Sequence, residues 1–182
     1  MRIAYRLLAA ALFWLAAGAV HAWPVQVCYH YGCSKQATVD ITDEARDWLA
    51  GLFNHPTDAA TERRQIQQAV LALYLLSAQK SPIWQDKGGD RYDNDGDGRM
   101  DCIDHSLNDD AFLRYLANNG WLHFHVVGDI VRRTRWLVAQ HFASHITDID
   151  TGQEWVVDSW FNAFGAAPVV VPMALWKEGF SP

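Results

Sequence analysis

Cys102, a histidine at 141 or 145, and Asp158 are the residues of this chain whose types and order could carry nucleophilic chemistry. Cys102 opens a segment of helical period, about Cys102 to Asn118, closed by Asn119-Gly120. A helix N-terminus carries partial positive charge and unsatisfied N–H groups, which favour thiolate over thiol. The carboxylates of Asp101 and Asp104 pull the other way, and a bound cation would offset them. A thiolate needs a base, and the base needs an orienting group. His141 and His145 share one face of a strand-like run, Val138 to Ile149, and Asp158 lies in the next, Glu154 to Phe161. The turn Asp150-Thr151-Gly152-Gln153 between them sets Asp158 opposite about residue 144. Spacing alone leaves both histidines within reach of that carboxylate.

Just before the thiol runs Asp93-Asn94-Asp95-Gly96-Asp97-Gly98-Arg99-Met100-Asp101-Cys102-Ile103-Asp104. With Asp93 at position one, carboxylates fall at positions one, three, five, nine and twelve, and Gly98 at six, where such a loop turns sharply. A hard cation wants six to eight oxygens, and this spacing offers them to calcium. Asp93, Asp95 and Asp97 would ligate by side chain, Arg99 by its carbonyl, Asp101 through water, and Asp104 from the helix. Aspartate in place of the usual glutamate at position twelve resembles the calcium loops of dockerin modules. With no second such loop, the expectation is one structural site rather than a paired sensor.

The two halves together resemble a known family. Cys102-Ile103-Asp104-His105-Ser106, His141-Phe142-Ala143 and Trp155-Val156-Val157-Asp158-Ser159-Trp160 are similar, in type and order, to motifs of the transglutaminase-like branch of the papain-type cysteine enzymes. Within it, the chain is similar to periplasmic bacterial transglutaminase-like cysteine proteinases, some of which need calcium near the active cysteine. The resemblance covers about Asp93 to Trp160. It implies that Cys102 attacks an amide carbonyl, that His141 rather than His145 moves the proton, and that Asp158 holds the imidazole. It also implies an oxyanion donor pair, half of it the Cys102 N–H, with Trp84 or Gln85 as the family-like choice for the other half.

The elements that must position these groups read as follows. Thr42 caps a helix that opens at Asp43-Glu44, with Ala45, Trp48, Leu49 and Leu52 on one stripe, and Asn54-His55-Pro56 breaks it. A longer helix spans about Ala59 to Gln79, with Ile66, Val70, Leu73 and Leu76 at core spacing. The third helix puts Ile103, Leu107, Phe112, Leu113 and Leu116 on its buried side. Strand-like runs follow at Leu122 to Val127, 138–149 and 154–161, and Val169 to Val171 adds a short edge strand. Helices first and an antiparallel sheet after them make the expected class α+β, with a papain/transglutaminase-like core.

Arg2 and Arg6 precede an apolar run, Leu7 to Ala19, and Val20-His21-Ala22 supplies cleavage positions, so residues 1–22 read as a secretory signal. The run is short for a span of about 20 residues, which argues for cleavage and against stable membrane insertion. Cleavage leaves 160 residues, 23–182, expected as one domain. Losing Arg2 and Arg6 moves the formal charge from −6 to −8, which argues against a nucleic-acid partner. Cys28 and Cys33, five apart, suit a disulfide in an oxidising compartment, periplasmic or extracellular. They lack the Cys-x-x-Cys form of a redox motif. The expectation is an exported thiol hydrolase or acyltransferase acting on a protein or peptide substrate. The rival is a non-catalytic, calcium-stabilised binding module of the envelope.

Overall fold

The computed structural model describes residues 23–89, 96–135 and 139–182. The signal-like segment 1–22 and the first loop positions, Asp93 and Asp95 among them, lie outside the described residues. Two strands come first: β1 (Trp23–Tyr29) and β2 (Lys35–Ile41) pair antiparallel, with Val25 against Val39 and Val27 against Ala37. This hairpin corrects the expectation that helices lead the chain. Its alternate residues Val25, Val27, Val39 and Ile41 are buried, so it is a lid on the core and not a leader.

Three helices follow. α1 (Asp43–Leu52) and α2 (Ala59–Ser77) start where side chains accept orphan N–H groups: Thr42 Oγ1 from Ala45 at 3.3 Å, and Asp58 Oδ1 from Thr61 at 2.6 Å. α3 (Cys102–Asn118) begins with a reciprocal capping box between Asp101 and Asp104. A 3-10 turn (Ile83–Gln85) separates α2 from the acidic loop. In α1 Leu49 is buried, whereas Trp48, expected on the core stripe, is 57% exposed.

The sheet is antiparallel. In it β3 (His125–Val127), β5 (Ala139–Asp148), β6 (Glu154–Asp158) and β7 (Val169–Pro172) lie in that order, and β4 (Val131–Arg135) pairs with β5. The class is α+β, as expected. Ser144 faces Val157, one residue from the expected opposition of Asp158 to about residue 144. The turn between β5 and β6 forms because Asp148 Oδ1 accepts from Asp150 and Thr151 N–H, and Gly152 supplies φ 69°. A short helix α4 (Met173–Lys177) closes the chain against β6 and β7.

The main core joins the hairpin, α1, α2, α3 and one face of the sheet, through residues such as Ile66, Leu73, Phe112, Ile146 and Val157. A smaller cluster on the other face holds Ala143, Val156, Met173 and Trp176. The period-two alternation of β5 and β6 divides the two clusters. Among the described residues no helix is long and apolar enough to cross a membrane.

Candidate functional site

At the start of β5, His141 lies beside the end of β6. Its Nε2 is 2.7 Å from Asp158 Oδ2, with His141 3% and Asp158 1% exposed. The same oxygen accepts from Trp176 Nε1 at 2.9 Å, and Oδ1 accepts from the Trp160 N–H at 3.2 Å. A carboxylate can only accept, so Nε2 carries a proton, and Nδ1 is the basic nitrogen whenever the ring is neutral. Aromatic rings wall the imidazole, with centroids of Trp160 at 4.6 Å, Phe161 at 5.4 Å and Trp176 at 5.6 Å. His145 is engaged elsewhere: Nδ1 meets the Asp129 carbonyl at 2.5 Å and Nε2 lies 3.8 Å from Glu154. Of the two histidines that spacing left open, His141 is the one joined to Asp158.

Cys102 is the first residue of α3, half-buried and outside any disulfide. Two bonds fix where its helical turn sits. His105 Nδ1 is 2.8 Å from Ser159 Oγ, in the residue after Asp158, and Ser144 Oγ donates to the Ser106 carbonyl at 2.8 Å, three residues along β5 from His141. The N-terminus of α3 therefore lies at the end of the sheet where β5 begins and β6 finishes. The helix packs on the Ser144 face, and the His141–Asp158 pair lies on the face toward Trp176.

The described part of the acidic loop bonds to the tip of the β1–β2 hairpin. There His30, Tyr31, Gly32 and Cys33 all have positive φ, from 58° to 70°, and Cys28 and Cys33 form a disulfide. Three of those four carry side chains, so the turn is strained and must be held by its contacts. Its N–H groups point at the loop: Cys33 donates to Asp104 Oδ1 at 2.6 Å, Gly32 to Asp101 Oδ2 at 3.1 Å, and His30 to the Arg99 carbonyl at 2.8 Å. Lys35 Nζ sits 2.7 Å from Asp97 Oδ1.

Four of the expected calcium ligands, Asp97, Arg99, Asp101 and Asp104, are thus engaged by the protein itself. Among the described residues no group of three or more His, Cys, Asp or Glu side chains is arranged to hold a metal ion. Burial pushes the Asp104 carboxyl up to about 6, against the N–H bonds it accepts. Gly98 differs from its expected role. The sharp turn belongs to Gly96, with φ 91°, and Gly98 is small because a Cβ there would collide with the Pro82 carbonyl. Gln85 Oε1 accepts from Gly98 N at 3.0 Å, which ties the 3-10 turn to the loop.

Beneath the site lies a polar network that the sequence reading missed. His105 Nε2 meets Asp86 Oδ2 at 3.0 Å, Ser159 Oγ lies 2.9 Å from Asp109 Oδ2, and the Tyr74 hydroxyl joins Asp109 and Ser159 at 3.0 and 2.8 Å. All five residues are under 9% exposed. Burial drives Asp109 up to about 7, despite the opposing His105 charge and the bonds from Ser159. Burial would lower His105, but the hydrogen bond and charge of Asp86, then Asp109 and Asp158, raise it above its ordinary value. Ser159, His105 and Asp86 have the order of a serine triad, yet the hydroxyl is enclosed by Tyr74 and Asp109. The arrangement is a buried scaffold that ties α2, α3 and the loop after the 3-10 turn to the end of β6.

This network explains a correction to α3. The expected stripe placed Ile103 and Leu107 inside, but they are 38% and 36% exposed, while Asp104, His105, Ser106, Asn108 and Asp109 are buried. The first half of the helix turns its polar face inward. His123 and His125 both serve Glu62: His125 Nδ1 is 2.8 Å from Glu62 Oε1, and the His123 N–H donates to Glu62 Oε2 at 2.6 Å. The signal that could have revealed the network was the density of short polar residues inside a helix that otherwise needs to be buried. No family model, no curated protein and no solved structure matches the chain.

Proposed function

We propose that the protein is an exported thiol hydrolase or acyltransferase that acts on peptide or side-chain amides, with Cys102 as nucleophile, His141 as base and Asp158 as orienter, on a papain/transglutaminase-like core. The observation that carries the reading is the buried 2.7 Å bond between His141 and Asp158 at the sheet end where α3 begins with a half-buried thiol. Nδ1 of His141 takes the thiol proton, and Cys102 Sγ bonds to the amide carbon. The tetrahedral oxyanion meets the Cys102 N–H at the helix terminus, with Trp84 or Gln85 as the family-like choice for the second donor. The C–N bond breaks, the amine leaves with the proton from Nδ1, and a thioester remains. Water or an amine then attacks the thioester, gives its proton to His141, and restores the thiol.

The Cys28–Cys33 disulfide fits a non-reducing environment, and export to the periplasm or medium belongs to this reading. Calcium at the acidic loop belongs to it as well, with Asp93 and Asp95 as the ligands that would complete the set. Where bound, its charge would offset that of the carboxylates around Cys102. No step of the mechanism runs through it.

The test is labelling of the purified protein with an iodoacetamide probe across pH, with calcium and with chelator. Rapid labelling of Cys102 well below pH 8, lost in His141→Ala, supports an activated nucleophile. Labelling at the rate of an ordinary thiol, indifferent to His141, would favour the rival reading, a non-catalytic envelope binding module.

A further inference from the structure

Beside His141 the surface opens into a cavity of about 310 Å³. Its walls are Trp160, Phe161 and Phe180, and its rim carries Arg133 and Arg135 from β4. Among the described residues no carboxylate lines it, although the chain as a whole is acidic.

The arginines are placed by backbone. Arg133 pairs with His141 across the β4–β5 ladder, and its guanidinium donates to the carbonyls of Trp176 and Phe180. Arg135 is exposed, and its Nη1 lies 3.3 Å from the Gly179 carbonyl. Arg135, anchored by one carbonyl, presents a fork that matches a carboxylate, and Arg133, whose guanidinium lies 4.7 Å from the Trp176 ring centroid, adds positive charge beside it.

The mechanism says which half of a substrate such a cavity receives. The imidazole must hand its proton to the departing amine, so the amine-bearing half sits on the His141 side of the bond that breaks. We propose that this cavity is the leaving-group site, and that it takes an amine component carrying a free carboxylate beside an apolar or aromatic side chain. The protein's substrates are then amides released as amino acids or short acidic peptides, and in the reverse sense the same components are its acyl acceptors. The assignment of the leaving-group half rests on the reading of His141 as proton carrier; the recognition of a carboxylate rests on the cavity alone.

Binding is measured first, because it needs no turnover. The purified protein is titrated with glycylphenylalanine and with glycylphenylalanine amide, and the His141 ring protons are followed by NMR. The carboxylate form is expected to bind at least about ten-fold tighter than the amide, since a charge-assisted hydrogen bond is lost in the latter. That preference should shrink to about two-fold or less in Arg135→Ala. Arg133 also holds the C-terminal segment, so Arg133→Lys, which keeps charge and alters the fork, is the second variant. Equal affinity for the two dipeptides overturns the carboxylate site, and so does a preference that survives in both variants.

Acyl transfer is the second arm. Cys102 is acylated with an aryl thioester of an N-blocked glycine, and the two dipeptides compete as acceptors. Faster capture by the carboxylate form supports the leaving-group assignment, and equal capture overturns it. An inert thiol with the binding preference intact removes the hydrolase reading, and the leaving-group assignment with it, but leaves the carboxylate site standing. A reactive thiol with no binding preference does the reverse.

Discussion

Nε2 of His141 and Oδ2 of Asp158 lie 2.7 Å apart in a setting nearly closed to water. Removing the carboxylate would leave a buried imidazole and the Trp176 indole N–H without an acceptor, so Asp158→Ala is expected to lower stability by about 3–5 kcal/mol. Asp158→Asn keeps one acceptor but can present an N–H to His141 and so favour the wrong tautomer. Its thiol labelling or turnover should fall by roughly 10²–10⁴-fold while the fold persists. Urea unfolding and probe kinetics separate the two effects; an Asn variant as reactive as the parent would remove Asp158 from the mechanism.

Glu62 offers a sharper stability test. It is wholly buried in α2 and receives the N–H groups of His123 and Phe124 and the imidazole of His125. Burial pushes its carboxyl up, but the bond from His125 and then the two backbone N–H bonds prevail and hold it below the ordinary value. A depressed carboxyl stabilises the fold above its unfolded pKa, and that contribution fades as pH falls through the native one. Glu62→Gln should cost about 2–4 kcal/mol at pH 7, and less in acid. A cost that does not shrink toward pH 3 would contradict the assignment.

Asp109 predicts the opposite slope. Its carboxyl titrates near 7 in the fold against 3.8 unfolded, so the native chain holds an extra proton between those values. Stability from this group is present below pH 3.8 and is lost as pH rises toward 7. The raised His105 adds loss in the same direction, above its unfolded value of 6.5. Asp109→Asn should flatten the fall in unfolding free energy between pH 4 and 8 by on the order of 2 kcal/mol. Denaturation at four pH values would show it, and an unchanged slope would place the titration elsewhere.

The hairpin tip and the acidic loop can be probed together. Replacing both Cys28 and Cys33 by serine releases a loop of only a few residues, for which chain entropy gives about 2 kcal/mol. If calcium also binds the loop, chelation will lower the melting temperature and the loss will be larger in the serine variant. A melting temperature indifferent to calcium and chelator would leave Asp101 and Asp104 held by the hairpin N–H groups and their own capping box, without a cation.

Much of the scaffold was legible because it is governed by short-range signals. Thr42 caps its helix as its chemistry requires, and the Asp150 to Gly152 turn set the β5–β6 register to within one residue. β4 escaped notice because Val-Arg-Arg-Thr-Arg offers no apolar alternation. α4 is a five-residue helix, too short for a period to show, yet it delivers the indole that completes Asp158. That a histidine on β5 would face Asp158 could be expected from order and spacing, and the structure pairs His141 with it. The inward-facing polar half of α3 could not, since propensity says nothing of which polar groups will find partners across more than fifty residues of chain, as His105 and Ser159 do.

The covalently closed turn at Cys28–Cys33 abuts the same helical turn that carries Cys102, through the bond from Cys33 to Asp104. A newly made chain therefore holds three thiols, two of which meet in the folded molecule close to the third. Ring closure across five residues is entropically the cheapest pairing open to them. Early oxidation of the short loop would commit Cys28 and Cys33 to each other and leave Cys102 outside any disulfide, as it is in the fold.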